Sequence, residues 1–293
     1  MTNAADAVFE RPVLALDTST AALCVAVASG GRVLADARSI VERSHSVLAV
    51  PMVKDVLASA GVTRDRLGGI AVGLGPGSYT GVRIAVTIAK TLAWAWGVPL
   101  AGVSSLEALA LGAAAPESAA DGERPVWIAP LMDARRGQVY TALFASGGAG
   151  GWRRIAADGI RLMREWADEL AVRAEKAGGR TATDECGDAF RGGTTASSGG
   201  ESPAGADAVE LPAVIRFVGD PSLHLKTIEQ LQERLDGRVR VEVRPTVMDG
   251  KDVAELGIRR LASGEADDPH TLVPNYTQLA EAEAKLLAGR QEG

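Results

Sequence analysis

The groups in this sequence that could do chemistry are few, and most of them fall in three short stretches. Residues 73–83 read GLGPGSYTGVR, a glycine-rich turn opening a helix. Such a turn aims backbone N–H groups at an anion, and the helix dipole adds to the attraction, so a phosphate is the ligand it would take. The named phosphate loops are not met: no lysine follows the last glycine, and Ser78 or Thr80 stands where the dinucleotide pattern needs its third glycine. Gly75, Gly77 and Gly81 suit equally well a tight turn that lets a helix approach its sheet closely. Asp17, in LALDTST, and Asp133, in PLMDARRG, each end an apolar run. With Thr18 and Ser19 they can face a nucleotide across a cleft, or simply satisfy the N–H groups of a turn. Arg135 and Arg136 beside Asp133 fit a solvated hairpin tip.

Other chemistries find less support. His45, His224 and His270 are the only histidines and are far apart in the chain, with no metal-ligand spacing. Cys24 and Cys186 are the only cysteines and make neither a disulfide framework nor a metal pattern. No serine sits in a GxSxG elbow, and Ser78 has no adjacent histidine to activate it. No catalytic residue, metal or cofactor is assigned.

The elements that must position these residues are legible. VLALDT (13–18), ALCVAVAS (22–29) and RVLADARSIV (32–41) are β-rich runs separated by short turns, the second turn being Gly30-Gly31. Three antiparallel strands are predicted. A helix follows over 44–61, a buried strand over 68–73, a helix over 82–96 stopped by Gly97, a strand over 98–103 and a helix over 104–115. That is βββαβαβα. From Pro125 the order begins again, with strands at 126–133 and 138–145, a helix near 162–176, a strand at 214–219, a helix at 222–235, a strand at 239–243 and a helix at 250–263. The reading is therefore an α/β protein of two similar lobes, residues 1–115 and 116–276, with a helix at 279–289 that can pack back on the first lobe. Residues 177–212 are rich in Gly, Ser, Thr and charge and poor in large apolar side chains, and are predicted to be a disordered surface insertion.

The helix at 82–96 is apolar around most of its circumference. A helix lying on one sheet needs a single apolar stripe, so something else is expected to cover it. Ala85, Ala89 and Ala93 at four-residue spacing, with Val53 and Val56 of the preceding helix, are the residues expected to meet a partner. The opposite lobe or the last helix is the alternative cover.

LALDTSTAALCVAV, GLGPGSYTGVR with the following VPLAGVSSLEALA, PLMDARRGQVY and PNYTQLAEAEAK together carry a resemblance. Over nearly its whole length apart from the insertion, the chain resembles the TsaB family of tRNA threonylcarbamoyladenosine biosynthesis proteins. The resemblance implies the two-lobed fold shared by actin, Hsp70-type chaperones and sugar kinases. It also implies a noncatalytic relative of TsaD, the metalloenzyme that threonylcarbamoylates the adenosine beside the tRNA anticodon. In TsaD the stretch after the fifth strand reads V-H-H-M-E-G-H; here VSSLEAL (103–109) puts Ser105 and Leu109 at the two ligand positions. Those side chains cannot replace two imidazoles around a divalent cation. The implied role is a scaffold that binds TsaD through the helices at 44–61 and 82–96, in an assembly that includes the ATPase TsaE. Without TsaD it would pair with itself, and tRNA would be met only through the complex. An ATP-binding phosphotransferase or a metalloprotease-like hydrolase of the same fold is the alternative, with Asp17, the 75–81 loop and Asp133 forming its cleft.

Composition bounds these readings. The chain has 293 residues and a net charge of −6, enough length for two lobes and no excess of cations to hold nucleic acid alone. The opening MTNAADAVFERP has no basic-then-apolar pattern, and the uncharged stretches are too short or too interrupted to span a bilayer. A cytoplasmic protein with no membrane partner is expected.

Overall fold

The computed structural model describes residues 10–40, 44–114, 124–148, 151–178 and 210–277. Most of the predicted insertion at 177–212, Cys186 and the predicted helix at 279–289 lie outside the described residues.

Strands Val13–Asp17 (β1), Ala22–Ser29 (β2), Arg32–Ile40 (β3), Gly69–Gly73 (β4) and Leu100–Val103 (β5) form one sheet in the order β3-β2-β1-β4-β5. β1, β2 and β3 pair antiparallel, and β4 and β5 continue parallel to β1. The β2–β3 connection turns at Gly30 and Gly31, whose φ of 54° and 75° lie where a side chain would be strained. The second sheet repeats the plan with Val126–Asp133 (β6), Gln138–Ser146 (β7), Arg153–Leu162 (β8), Val214–Gly219 (β9) and Arg240–Pro245 (β10), in the order β10-β9-β6-β7-β8. The sequence pattern misses β8. This edge strand, RRIAADGIRL, buries only Ala156, so it lacks the apolar alternation that marks a half-buried strand.

Among the described residues six α-helices complete the set: His45–Ser59 (α1), Tyr79–Trp96 (α2), Ser105–Gly112 (α3), Met163–Gly178 (α4), Leu225–Arg234 (α5) and Gly250–Ala262 (α6). α2 begins three residues before the predicted start, because the Ser78 hydroxyl accepts from Gly81 N and caps its first turn. Gly97 ends it in the left-handed conformation, φ 63°.

Alternation along the strands divides the core. Leu14, Leu16, Leu23, Val25, Ile70 and Val72 face α1 and α2; Val13, Ala15, Cys24, Ala71 and Ala101 face the other way, toward α6. That second face is floored by small residues, so α6 sinks deeply into it. A Cβ on Gly257 would overlap the Ala71 side chain, and one on Gly250 would lie 2.9 Å from Ala26 N. The result is five layers, with α3 and α6 between the sheets and α4 and α5 on the far face of the second. The two middle helices are exchanged. α6 ends the second set in the chain yet packs on the first sheet, while α3 ends the first set and packs on the second. Buried Arg216 of β9 fixes α3 there, donating through Nη1 to the Ala113 carbonyl at 2.9 Å and through Nε to Glu242 at 2.9 Å.

Two outcomes follow from this packing. Gly257→Val must lift α6 from Ala71 and is expected to cost about 2–3 kcal/mol in urea unfolding, against less than about 0.5 for exposed Lys251→Ala. Asp252, in the first turn of α6, points its carboxyl at Gly112 of α3. Burial pushes that carboxyl up to about 7, with Lys251 opposing and Asp249 and Glu255 adding to the rise. Its folded value lies above the unfolded one of 3.8, so the folded chain holds the extra proton. Asp252 therefore favours folding most at low pH, and this is lost as pH rises through about 7. Asp252→Asn is expected to stabilise by up to about 2 kcal/mol at pH 8, after allowance for partial exposure, and by nothing at pH 3.5.

Candidate functional site

The glycine loop and the β1–β2 turn close on each other. Asp17, at the end of β1, is fully buried; its Oδ1 accepts from Ser19 N at 2.6 Å and its Oδ2 from Ser105 Oγ at 2.5 Å. Ser105 Oγ also accepts from Gly75 N at 3.0 Å, and Ser105 N donates to Gly75 O at 3.0 Å. Burial raises the Asp17 carboxyl above its ordinary value, and the bonds from Ser105 and Ser19 pull it partway back. From the turn, Thr18 Oγ1 donates to Gly81 O at 2.5 Å, and Ser19 O accepts from Ser78 N at 2.7 Å. A Cβ on Gly77 would overlap Ser19 O, one on Gly81 would overlap Thr18 O, and one on Gly73 would overlap the Asp17 carboxylate. The glycines thus admit the chain's own backbone and carboxylate. Two donors at the start of α2 are also spent, Gly81 N on Ser78 Oγ and Val82 N on Ser78 O.

The other sequence candidates are dispersed. Asp133 is exposed at the β6–β7 hairpin, where its Oδ1 accepts from Arg135 N at 2.9 Å; it makes a turn of its own and does not join the Asp17 cluster. His45 Nε2 lies 3.1 Å from Ala21 O, His224 sits in the turn before α5, and His270 follows α6. Among the described residues no group of three His, Cys, Asp or Glu side chains is placed to hold a metal. Ser105 is occupied with Asp17 and Gly75, and Leu109 packs against Gly219. The Cys24 thiol is buried against Asp17 O at 3.7 Å, and burial raises its pKa.

The five residues expected to meet a partner require correction. Val53, Val56, Ala85, Ala89 and Ala93 are each at most 4% exposed and lie beneath α1 and α2, against Leu14, Leu16, Val25 and Ile70 of the first sheet. The alanines are small because the helix rests closely on its own sheet. The outer surface of the pair is made by other residues: Val47, Val50, Tyr79 and Trp94 are 72%, 56%, 47% and 66% exposed. Between the helices runs a groove of about 410 Å³, walled by Val50, Tyr79, Arg83, Ile84, Thr87 and Ile88. Tyr79, Arg83 and Thr87 recur every four residues, a signal that reading Ser78 as the cap would have exposed. Arg83 stacks on the Tyr79 ring at 4.7 Å and has no carboxylate partner among the described residues. No helix among them is long and apolar enough to cross a membrane.

Comparison with known proteins agrees with this architecture. The pattern of the family TsaD: tRNA N6-adenosine threonylcarbamoyltransferase matches residues 38–159. The tRNA threonylcarbamoyladenosine biosynthesis protein TsaB of Bacillus subtilis is 33% identical over 283 residues, covering 95% of this chain and 99% of that one. The TsaB of Escherichia coli is 37% identical over 140 residues, 48% of this chain and 58% of its own. A crystal structure from Pseudomonas aeruginosa, described as an uncharacterized protein with similarity to peptidase YEAZ, is 26% identical with a TM-score of 0.60 over 92% of this chain and 100% of that one. The two five-stranded sheets with their helices make the two-lobed α/β architecture that the motifs implied, and the Pseudomonas aeruginosa structure shares it. With a relative at this identity aligned almost end to end, the chain belongs to the TsaB family of tRNA threonylcarbamoyladenosine biosynthesis proteins.

Proposed function

We propose that this chain serves threonylcarbamoyladenosine biosynthesis as a noncatalytic subunit that seats TsaD on the outer face of α1 and α2. The observation that carries this reading is the groove between those helices. Val50 and Tyr79 present apolar surface there, Val47 and Trp94 are exposed elsewhere on the same two helices, and none of them is needed to hold the helices to the sheet. The filled cleft supports the noncatalytic half of the reading. The Thr18 and Ser19 carbonyls fill the space beside Gly81 and Gly77, and Ser105 spends its hydroxyl on Asp17 and Gly75. In this account a second copy takes the same face when TsaD is absent, TsaE joins the larger assembly, and tRNA is met through the complex in the cytoplasm. The acidic balance of −6 is compatible with a subunit that leaves tRNA to its partners.

Two sets of variants test the two halves. Val50→Asp puts a charge in the groove at a position already 56% exposed, so melting should be unchanged. The dissociation constant for TsaD of the same genome, measured by titration, should rise at least about tenfold. Asp133→Ala should leave it within about twofold. A Val50→Asp chain that binds like the parent, together with loss of tRNA modification in the Asp133→Ala mixture, would move the working surface to the cleft. Gly81→Ala, despite about 1 kcal/mol of helix propensity in its favour, should lose about 2 kcal/mol of stability as its Cβ displaces Thr18. Unchanged stability would mean that the loop is free to open.

A further inference from the structure

The tip of the β6–β7 hairpin, DARRG (133–137), holds three consecutive residues in the left-handed region: Arg135 at φ 65°, Arg136 at 54° and Gly137 at 75°. Glycine adopts this backbone freely, but a Cβ makes it costly, and hairpin turns of this kind ordinarily take Asn, Asp or Gly. The conformation is held firmly. Ala134 N donates to Gln138 O at 3.0 Å, Gln138 N to Arg135 O at 2.9 Å, Arg135 N to Asp133 Oδ1 at 2.9 Å, and Met163 N, the first of α4, to Gly137 O at 3.0 Å. None of these bonds uses a guanidinium. Both arginine side chains are exposed and make no hydrogen bond, ion pair or ring contact among the described residues. The same holds for exposed Arg164, which the Met163 bond sets beside the tip. Asp133 and Glu165 lie close in the chain, but neither forms an ion pair with these arginines.

The fold thus keeps two arginines in a strained backbone and draws nothing from their side chains. Strain retained for side chains that the fold does not use points to a ligand. We propose that Arg135 and Arg136, with Arg164 beside them, hold backbone phosphates of the tRNA when the chain is assembled with its catalytic partner. A guanidinium takes phosphate oxygens bidentately, and a rigid tip presents two of them without the ordering cost of a mobile loop. In a chain of net charge −6, three such cations are too few to hold RNA alone. They act on RNA that the partner has already engaged, where a second contact on the same assembly becomes intramolecular. The tip belongs to the second lobe and α1 and α2 to the first, so the two surfaces do not compete for the same residues. This inference rests on the noncatalytic-subunit reading and adds to it the contact that this chain itself makes with the substrate.

The test gives the full chain the residues that such a turn prefers, Arg135→Asn together with Arg136→Gly. Relief of the strain should leave the melting temperature unchanged or higher, and the Kd for TsaD of the same genome should stay within about twofold. The Kd of the assembled complex for tRNA should rise about 5–10-fold at about 0.1 M salt. The slope of log Kd against log salt should fall by about 1.5, the loss of two phosphate contacts at about 0.7–0.9 each. Arg135→Lys with Arg136→Lys, which keeps the charge, should keep the slope. A lower melting temperature would show that the fold uses these side chains and overturn the proposal. So would unchanged tRNA affinity and slope in a complex that still forms, or a loss confined to TsaD binding, which would assign the tip to a protein surface. A parent chain that does not bind TsaD at all would fell the subunit reading itself, and this contact with it.

Discussion

Taking the Asp17 carboxyl out of water is costly unless its oxygens meet donors, and those donors come from separate elements. Ser19 N belongs to the β1–β2 turn and Ser105 Oγ to the start of α3, and Ser105 in turn receives Gly75 N from the glycine loop. One buried group thus fixes the end of β1, the loop before α2 and the entry to α3. The glycines at 73, 77 and 81 are consequences of this arrangement, since any side chain there would strike the turn or the carboxylate. A loop chemically suited to an anion is used instead to join one part of the protein to another.

The same economy of space runs through the layers. Small residues on the inner face of the first sheet let α6 settle against Ala71, and this brings Asp252 against Gly112 of α3. The two exchanged helices bind the lobes through their shared middle layer, while Arg216 holds the end of α3 to the second sheet. Asn275 adds a further tie, its backbone on Leu74 and its side chain 3.4 Å from Asp158 of β8. On the outer face of α1 and α2, by contrast, Val47, Val50, Tyr79 and Trp94 remain exposed.

Much of this was legible in the sequence, and the failures have physical causes. Alternation and glycine punctuation located nine of the ten strands among the described residues, and the repeat after Pro125 foretold the second sheet. β8 escaped because an edge strand with one buried side chain carries no apolar period. The Ala85-Ala89-Ala93 strip was assigned to a partner although it lies against the chain's own sheet, since periodicity identifies a face and not what lies against it. For the same reason α6 could be recognised as amphipathic while its sheet could not, although Gly250 and Gly257, seven residues apart, mark the buried side. Tyr79, which lines the groove, was hidden by starting α2 too late.

The central claim, that the α1–α2 face works while the cleft is structural, is tested most directly by amide hydrogen exchange of the full chain with and without TsaD of the same genome. The account predicts slowed exchange over 45–59 and 79–96 on addition of TsaD, with 17–20, 73–78 and 133–138 unchanged. Slowed exchange confined to the cleft segments, with the two helices unaffected, would contradict it.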